Sequence, residues 1–245
     1  MLGLRVAPFL NSVARLFLPA RCYHCSSFLL SHQKFLCSGC ILSIPYAGLP
    51  GKEKSVLDDL FGIYPFVRGA AALWQYHNNS PIQTLIIAFK YGREKKVGDF
   101  LGEALASFLL HSFPHWTFDY IVPVPLSAKR LAERGFNQCE VIARKIEEIF
   151  RRSGREVKVI ADAIVRRVHS ASLSRSPLKA RFQRDRERVF GVAKPKAIEG
   201  KKILLLDDVI TTGSTIYSLL DALLDSPPAA LYVSAVCTAH RSIVR

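Results

Sequence analysis

The chain has no apolar run approaching the roughly 18 residues that a membrane-spanning helix needs, so no such helix is expected. It also shows no small-residue cleavage site after its apolar N-terminal stretch. Residues 2–18 are rich in Leu, Val and Phe, but Pro8, Asn11 and Arg15 interrupt them. Val6, Leu10, Val13 and Phe17 lie at helical spacing, so the stretch reads as an amphipathic helix ending near Pro19. A packing role for that helix is preferred over one at a membrane surface. Without a secretory signal the expected location is cytoplasmic. Acidic residues are scarce: 20 Asp and Glu face 34 Lys and Arg, a net charge of +14. That imbalance favours polyanionic partners and says nothing about fold.

Cysteine is sparse but concentrated. Four of the six fall close together as Cys22, Cys25, Cys37 and Cys40, forming two C-x-x-C knuckles. Two such knuckles can present four thiolates tetrahedrally to one zinc ion, and the metal would stabilise a segment too short to bury a core. His24 and His32 lie inside and are alternative ligands. A pair of disulfides is the competing reading, but it needs an oxidising compartment. Neither knuckle follows a strand and opens a helix, which weakens a redox role. Cys139 and Cys237 are isolated and read as small buried apolar residues.

At 245 residues, 49% of them apolar, the chain has room for one sizeable domain and a small appendage. The expected division is an N-terminal helix and zinc-ribbon-like module over 1–45, a connector over 46–68, and the main domain over 69–245. Helical periodicity appears at 80–89, 98–111, 137–150 and 214–224. Strand-like runs appear at 120–124, 157–165, 203–206 and 231–237. Strands alternating with helices predict an α/β fold, a mainly parallel sheet with helices on both faces. Ligands of such sheets sit beyond the carboxyl ends of the strands.

The most informative segment is 203–215, ILLLDDVITTGST. A buried strand runs into Asp207 and Asp208, then into the turn Thr211, Thr212, Gly213, Ser214 and Thr215, where a helix begins. Unpaired amides and small hydroxyls at a helix N-terminus form an anion site, and Gly213 lets the backbone approach a phosphate closely. The two carboxylates suit hydroxyl donors or a divalent cation. Phosphate at one end and hydroxyls at the other describe a ribose 5-phosphate.

A second segment, 119–138, carries an apolar strand into Pro123, Val124 and Pro125. The prolines end the strand and stiffen the turn. Lys129, Arg130 and Arg134 follow, just ahead of the next helix, and suit a pyrophosphate group or a solvated basic face. Lys90, within FKYG, adds another cation at a turn.

The segment 203–215 resembles the phosphoribosyl pyrophosphate (PRPP) motif of type I phosphoribosyltransferases. The resemblance implies that Asp207 and Asp208 contact the ribose hydroxyls and that residues 211–215 wrap the 5-phosphate, with magnesium accompanying PRPP. Taken in order, the knuckles, FKYG, PVPL, RGFNQ and LLLDDVITTGST resemble the competence protein F (ComF, GntX-like) family from Cys22 to Cys237. That likeness implies a zinc ribbon joined to a type I phosphoribosyltransferase fold and a link to DNA uptake or use.

One stretch departs from the family pattern. From Arg166 the chain reads RRVHSASLSRSPLKARFQRDRERVF, where the family tends to carry a Thr…Gln…Leu…Arg…Asn series. Ser172 stands near the threonine, Arg175 at the glutamine, and Asp185 near the missing asparagine; Leu178 and Arg181 match. In that fold the region closes over the active site, so the changes bear on chemistry and acceptor choice. Residues 129–188 hold 17 Lys and Arg against 8 Asp and Glu, with Phe182 beside them, and Phe190 follows just beyond. That composition suits single-stranded DNA as well as a solvated loop. Two function classes stay open. One is a ligand-binding accessory to DNA uptake and its proteins, holding PRPP or a related phosphorylated compound. The other is an active transferase passing ribose 5-phosphate from PRPP to a nucleobase or amine in nucleotide salvage.

Overall fold

A computed structural model describes residues 20–48, 56–167 and 189–239. The amphipathic stripe at residues 6–17 and the basic stretch 168–188 lie outside the described residues.

The centre is a five-stranded, all-parallel sheet. In chain order its strands are β1 (Val67–Gln75), β2 (Tyr120–Pro123), β3 (Lys158–Val159), β6 (Lys202–Ile210) and β7 (Ala230–Thr238). Across the sheet they run β1-β7-β6-β2-β3, so β6, which carries Asp207 and Asp208, is central. Parallel strands covered on both faces read as continuous apolar runs, and β6 does: Ile203, Leu204, Leu205 and Leu206 are all buried. Alternation sends Leu204 and Leu206 into one core and Ile203 and Leu205 into the other.

The helices described are α1 (Ser38–Leu42), α2 (Val56–Phe61), α3 (Pro81–Tyr91), α4 (Lys95–Ser112), α5 (Ala128–Arg134), α6 (Gln138–Arg152) and α7 (Ser214–Leu223). On one face α3, α4 and α6 supply Leu85, Phe89, Leu101, Leu105, Ile142 and Ile146. On the other, α2 and α7 supply Leu57, Phe61, Ile216, Leu219 and Leu220. Each fully buried side chain of this size is worth about 1.5–3 kcal/mol of transfer free energy, so the two cores dominate stability. Capping places the helix starts. Ser80 accepts from Gln83 N, Ser127 from Arg130 N and Asn137 from Cys139 N.

Three local expectations change. The run 157–165 is not one strand. Lys158 and Val159 pair with β2, the chain turns at Ala161 and Asp162, and β4 (Ile164–Arg166) pairs antiparallel with β5 (Phe190–Val192) in a separate hairpin. An acidic residue inside a short apolar run marks that turn. The stretch read as a connector holds α2, and Leu57, Phe61, Tyr64 and Phe66 are buried in the second core. Just before it, Tyr46 bridges Trp74, Ala47 N donates to Leu73 O, and Gln75 N donates to Pro45 O. Finally, β1 begins at Val67, so Gly69 lies within a strand. A Cβ at Gly69 would stand 2.6 Å from Trp116 Cζ2, so glycine is required by close packing there.

The cysteine module shares the main core. Cys22, Phe35, Leu36, Cys40 and Ile44 pack in the cluster that holds α3 and α4. Phe35 meets Phe100 edge-on at 5.8 Å, Tyr23 Oη donates to Glu94 Oε2 at 2.6 Å, and Lys34 pairs with Glu103 at 3.1 Å.

Candidate functional site

Strand β6 is longer on its β7 side than on its β2 side. Pairing with β2 stops at Leu206, whereas pairing with β7 continues to Ile210. Asp207 and Asp208 therefore sit where one neighbour has ended, at the carboxyl end of the sheet. A cleft of about 520 Å³ opens there, and its walls include Lys90, Arg130, Arg134, Asp207, Asp208, Thr211 and Thr215.

Four elements deliver these groups. From the end of α3, Lys90 Nζ meets Asp208 Oδ2 at 2.7 Å, with both side chains largely buried. Burial opposes the lysine charge, but Asp208 more than offsets it, so Lys90 is held more firmly protonated than usual. Next to it, Asp207 Oδ1 accepts from Asp208 N at 2.8 Å and from Cys139 Sγ at 3.5 Å. Burial, with the Asp208 charge beside it, pushes the Asp207 carboxyl up to about 7. The pair thus divides into one ion-paired carboxylate and one carboxyl balanced between its two forms near neutrality.

The loop after β6 makes a tight turn into the start of α7. Gly213 has φ +78°, a left-handed conformation, and a Cβ there would stand 3.1 Å from the Phe61 ring. Thr212 Oγ1 accepts from Ser214 N at 3.4 Å and donates to Ser214 Oγ at 3.2 Å, which shapes the turn into α7. Thr212 and Ser214 are exposed at that helix start.

Asn137 Nδ2 donates to Val124 O at 3.0 Å and ties the start of α6 to the end of β2, where Val124 lines the cleft. Arg134 is buried and its Nη1 donates to Gln138 Oε1 at 2.9 Å. Gln138 is fully buried, and its Nε2 has no partner among the described residues. The basic turn of the sequence reading is the helix α5, ended by Gly135 at φ +80°. Arg130 and Arg134 reach the cleft, whereas Lys129 is exposed on α5 and is not among the cleft-lining residues.

Sequence reasoning missed Tyr76, Tyr91, Arg166 and Cys139 as cleft residues. Tyr91 sits inside the quoted FKYG, directly after Lys90, and was legible. Cys139 is indeed buried, yet its thiol also donates to the acid pair. Its place as the second residue of a helix that points at the cleft was the available signal. Burial, then the Asp207 charge, push that thiol well above its usual range.

The second constellation shares no residue with the cleft lining. The Sγ atoms of Cys22, Cys25, Cys37 and Cys40 lie within 4.8 Å of one another, and Cys25 and Cys37 stand 3.6 Å apart. Tetrahedral zinc with bonds of about 2.3 Å places sulfurs about 3.8 Å apart, so the four fit one ion. All six cysteines of the chain are free thiols. A hydrogen bond with Ser27 holds Cys25 down to about 6, while burial pushes Cys40 up. His24 Nδ1 bonds instead with Thr84 Oγ1 at 3.2 Å, and the cluster contains neither histidine. Among the described residues, no helix is long and apolar enough to cross a membrane.

No family model matches the chain. It is 28% identical to the DNA utilization protein YhgH of Escherichia coli K12 over 161 residues, covering 64% of this chain and 67% of that one. It is 28% identical to competence protein F of Haemophilus influenzae over 213 residues, covering 82% and 89%. Competence protein ComFC of Bacillus subtilis is 25% identical over 217 residues, covering 85% and 80%. The resemblance to the competence protein F family, read from the motifs, is borne out by these relatives. Among solved structures, an adenine phosphoribosyltransferase superposes with a TM-score of 0.39 at 17% identity, covering 60% of this chain and 73% of that one. A glutamine PRPP amidotransferase from B. subtilis gives 0.38 at 15%, covering 65% and 28%. Both superpositions are partial, and the α/β architecture stands on the strand order of the sheet itself.

Proposed function

We propose that the chain binds PRPP, or a closely related 5-phosphorylated ribose, and serves the uptake or use of external DNA in the cytoplasm. One observation carries the reading. A single cleft is lined by an acid pair with one member ion-paired to Lys90, by Thr211 and Thr215 of a left-handed glycine loop at a helix start, and by two arginines. The loop takes the 5-phosphate, the acid pair takes the ribose hydroxyls, and Arg130 and Arg134 take a pyrophosphate. The names of the relatives supply the biological setting.

Magnesium fits the same donors. Asp207 offers a hard oxygen ligand beside the place assigned to the sugar, and magnesium is usually held by one or two carboxylates plus ligand phosphates. When bound it would neutralise pyrophosphate charge. Cys22, Cys25, Cys37 and Cys40 would hold one structural zinc. Single-stranded DNA is the second partner class, supported by the charge of +14.

The transferase reading rests on Asp207, whose carboxyl is pushed up to about 7 beside the proposed ribose. A group balanced near neutrality can take or give a proton during transfer.

The test is a thermal-shift titration of the zinc-loaded chain with PRPP and magnesium, beside an Asp207→Ala, Asp208→Ala double variant. Saturable stabilisation that the variant loses supports the reading. No shift in the wild-type chain removes it. An acceptor screen then separates binding from transfer.

A further inference from the structure

Tyr91 is 72% exposed, yet it forms part of the cleft wall. It is the last residue of α3 and directly follows Lys90, whose ammonium anchors the acid pair. Ile87, one turn earlier, is 49% exposed and lines the same wall. From α5, the Arg134 guanidinium stands 5.8 Å from the Tyr91 ring centroid. Tyr91 belongs to neither core cluster, so burial in a core does not account for it. A large exposed ring beside an apolar neighbour and a guanidinium, on the lip of a polar cleft, is an arrangement suited to a planar ligand group.

We propose that Tyr91, backed by Ile87 and faced by Arg134, is a stacking platform for the base of a 5′-phosphorylated nucleoside. The proposal rests on the phosphate-and-ribose reading of the cleft. With the phosphate on the loop before α7 and the sugar hydroxyls on the acid pair, the substituent at C1 of the sugar faces the Lys90 and Tyr91 end. A pyrophosphate there would meet the arginines, and a flat base would lie against the tyrosine ring. Stacking reads the π-face that all bases share, so the platform tolerates any base and admits two sources of the same chemistry. One is a free nucleotide; the other is the 5′-phosphorylated end of a DNA single strand.

The experiment is equilibrium binding of the full zinc-loaded chain to four probes: ribose 5-phosphate, AMP, and short oligothymidylate with and without a 5′-phosphate. Wild-type, Tyr91→Ala and Tyr91→Phe proteins are compared. AMP is expected to bind more tightly than ribose 5-phosphate, by roughly 5- to 100-fold from one stacked base. Tyr91→Ala should abolish that advantage and leave ribose 5-phosphate affinity unchanged, while Tyr91→Phe should retain it. If the 5′-phosphate strengthens oligothymidylate binding in a Tyr91-dependent way, the source includes DNA ends; if only AMP gains, it is free nucleotide. Equal affinities for AMP and ribose 5-phosphate in the wild-type chain overturn the platform while leaving the phosphate site standing. So does a Tyr91→Ala protein that weakens both ligands alike. Absence of binding to every probe overturns the site reading and the platform together.

Discussion

Among the described residues, two places bring ligating side chains together, and they are built in opposite ways. The first gathers four thiols, Cys22, Cys25, Cys37 and Cys40, from a turn and the start of the short helix α1. The second gathers Cys139, Asp207 and Asp208 from a strand end and a helix start in the middle of it, with Lys90 already paired to one carboxylate. Identical soft donors with no internal counter-charge need an ion to hold them together. Mixed donors with a built-in cation hold themselves together and leave a cleft for something larger. The lesson is that proximity of ligands alone does not define a metal site; what already neutralises them decides what else can bind.

The largest effect should separate the two constellations outright. Stripping metal with a chelator should release one zinc per chain and lower the melting temperature sharply. Structural zinc contributes apparent binding energies of about 10–16 kcal/mol in small zinc modules, and part of that should appear here because the module shares the main core. Metal analysis of the purified chain checks this, and a chain that carries no zinc would break the contrast. Cys25→Ser should reproduce the loss; Cys139→Ser should not.

Next in size is Lys90→Met. Removing the cation leaves Asp208 buried without its partner, which should cost about 3–5 kcal/mol in denaturant unfolding. Adding Asp208→Asn should recover much of that, and a double variant no more stable than the single one would show that the ion pair is not what organises the centre.

A smaller, pH-dependent effect belongs to Asp207. Its folded pKa, about 7, is raised above its ordinary value of 3.8. The protonated form is therefore the one that folding favours. Its stabilising contribution is full below about pH 4 and is lost as pH rises through 7. Asp207→Asn should stabilise the chain at pH 8 by ~1.4 kcal/mol or more, one pKa unit's worth, and by little at pH 4. Equal effects at both pH values would show that the carboxyl titrates normally.

The smallest effect is expected at Cys139. Cys139→Ser keeps a donor to Asp207 Oδ1 and should change stability by less than about 1.5 kcal/mol, with PRPP affinity intact. Cys139→Val should fold but bind PRPP more weakly, because the acid then loses one orienting hydrogen bond. Isothermal titration of both variants distinguishes an orienting thiol from a filler of space.

Much of the cleft was legible locally. Asp207, Asp208 and residues 211–215 are contiguous, and a strand, a left-handed glycine and a helix start are short-range patterns. Lys90, Arg130 and Arg134 also came from turns next to recognisable elements, and all three line the cleft. Lys129 was read with them, but on α5 it is exposed, away from the lining. Periodicity separates faces of a helix poorly over only 7 residues. The run 157–165 misled because two short strands of different sheets abut in it.

From its own order of residues, then, the chain determined the alternation of strands and helices, the glycine turn into the last helix and the knuckle spacing, because each depends on backbone and side-chain chemistry within a few residues. Only the tertiary structure decided that Lys90, Cys139 and Tyr91 meet at one cleft, and that the cysteine module packs into the main core instead of standing apart. Those contacts join residues far apart in sequence, and they follow from which faces bury apolar surface together, a quantity that no local pattern contains.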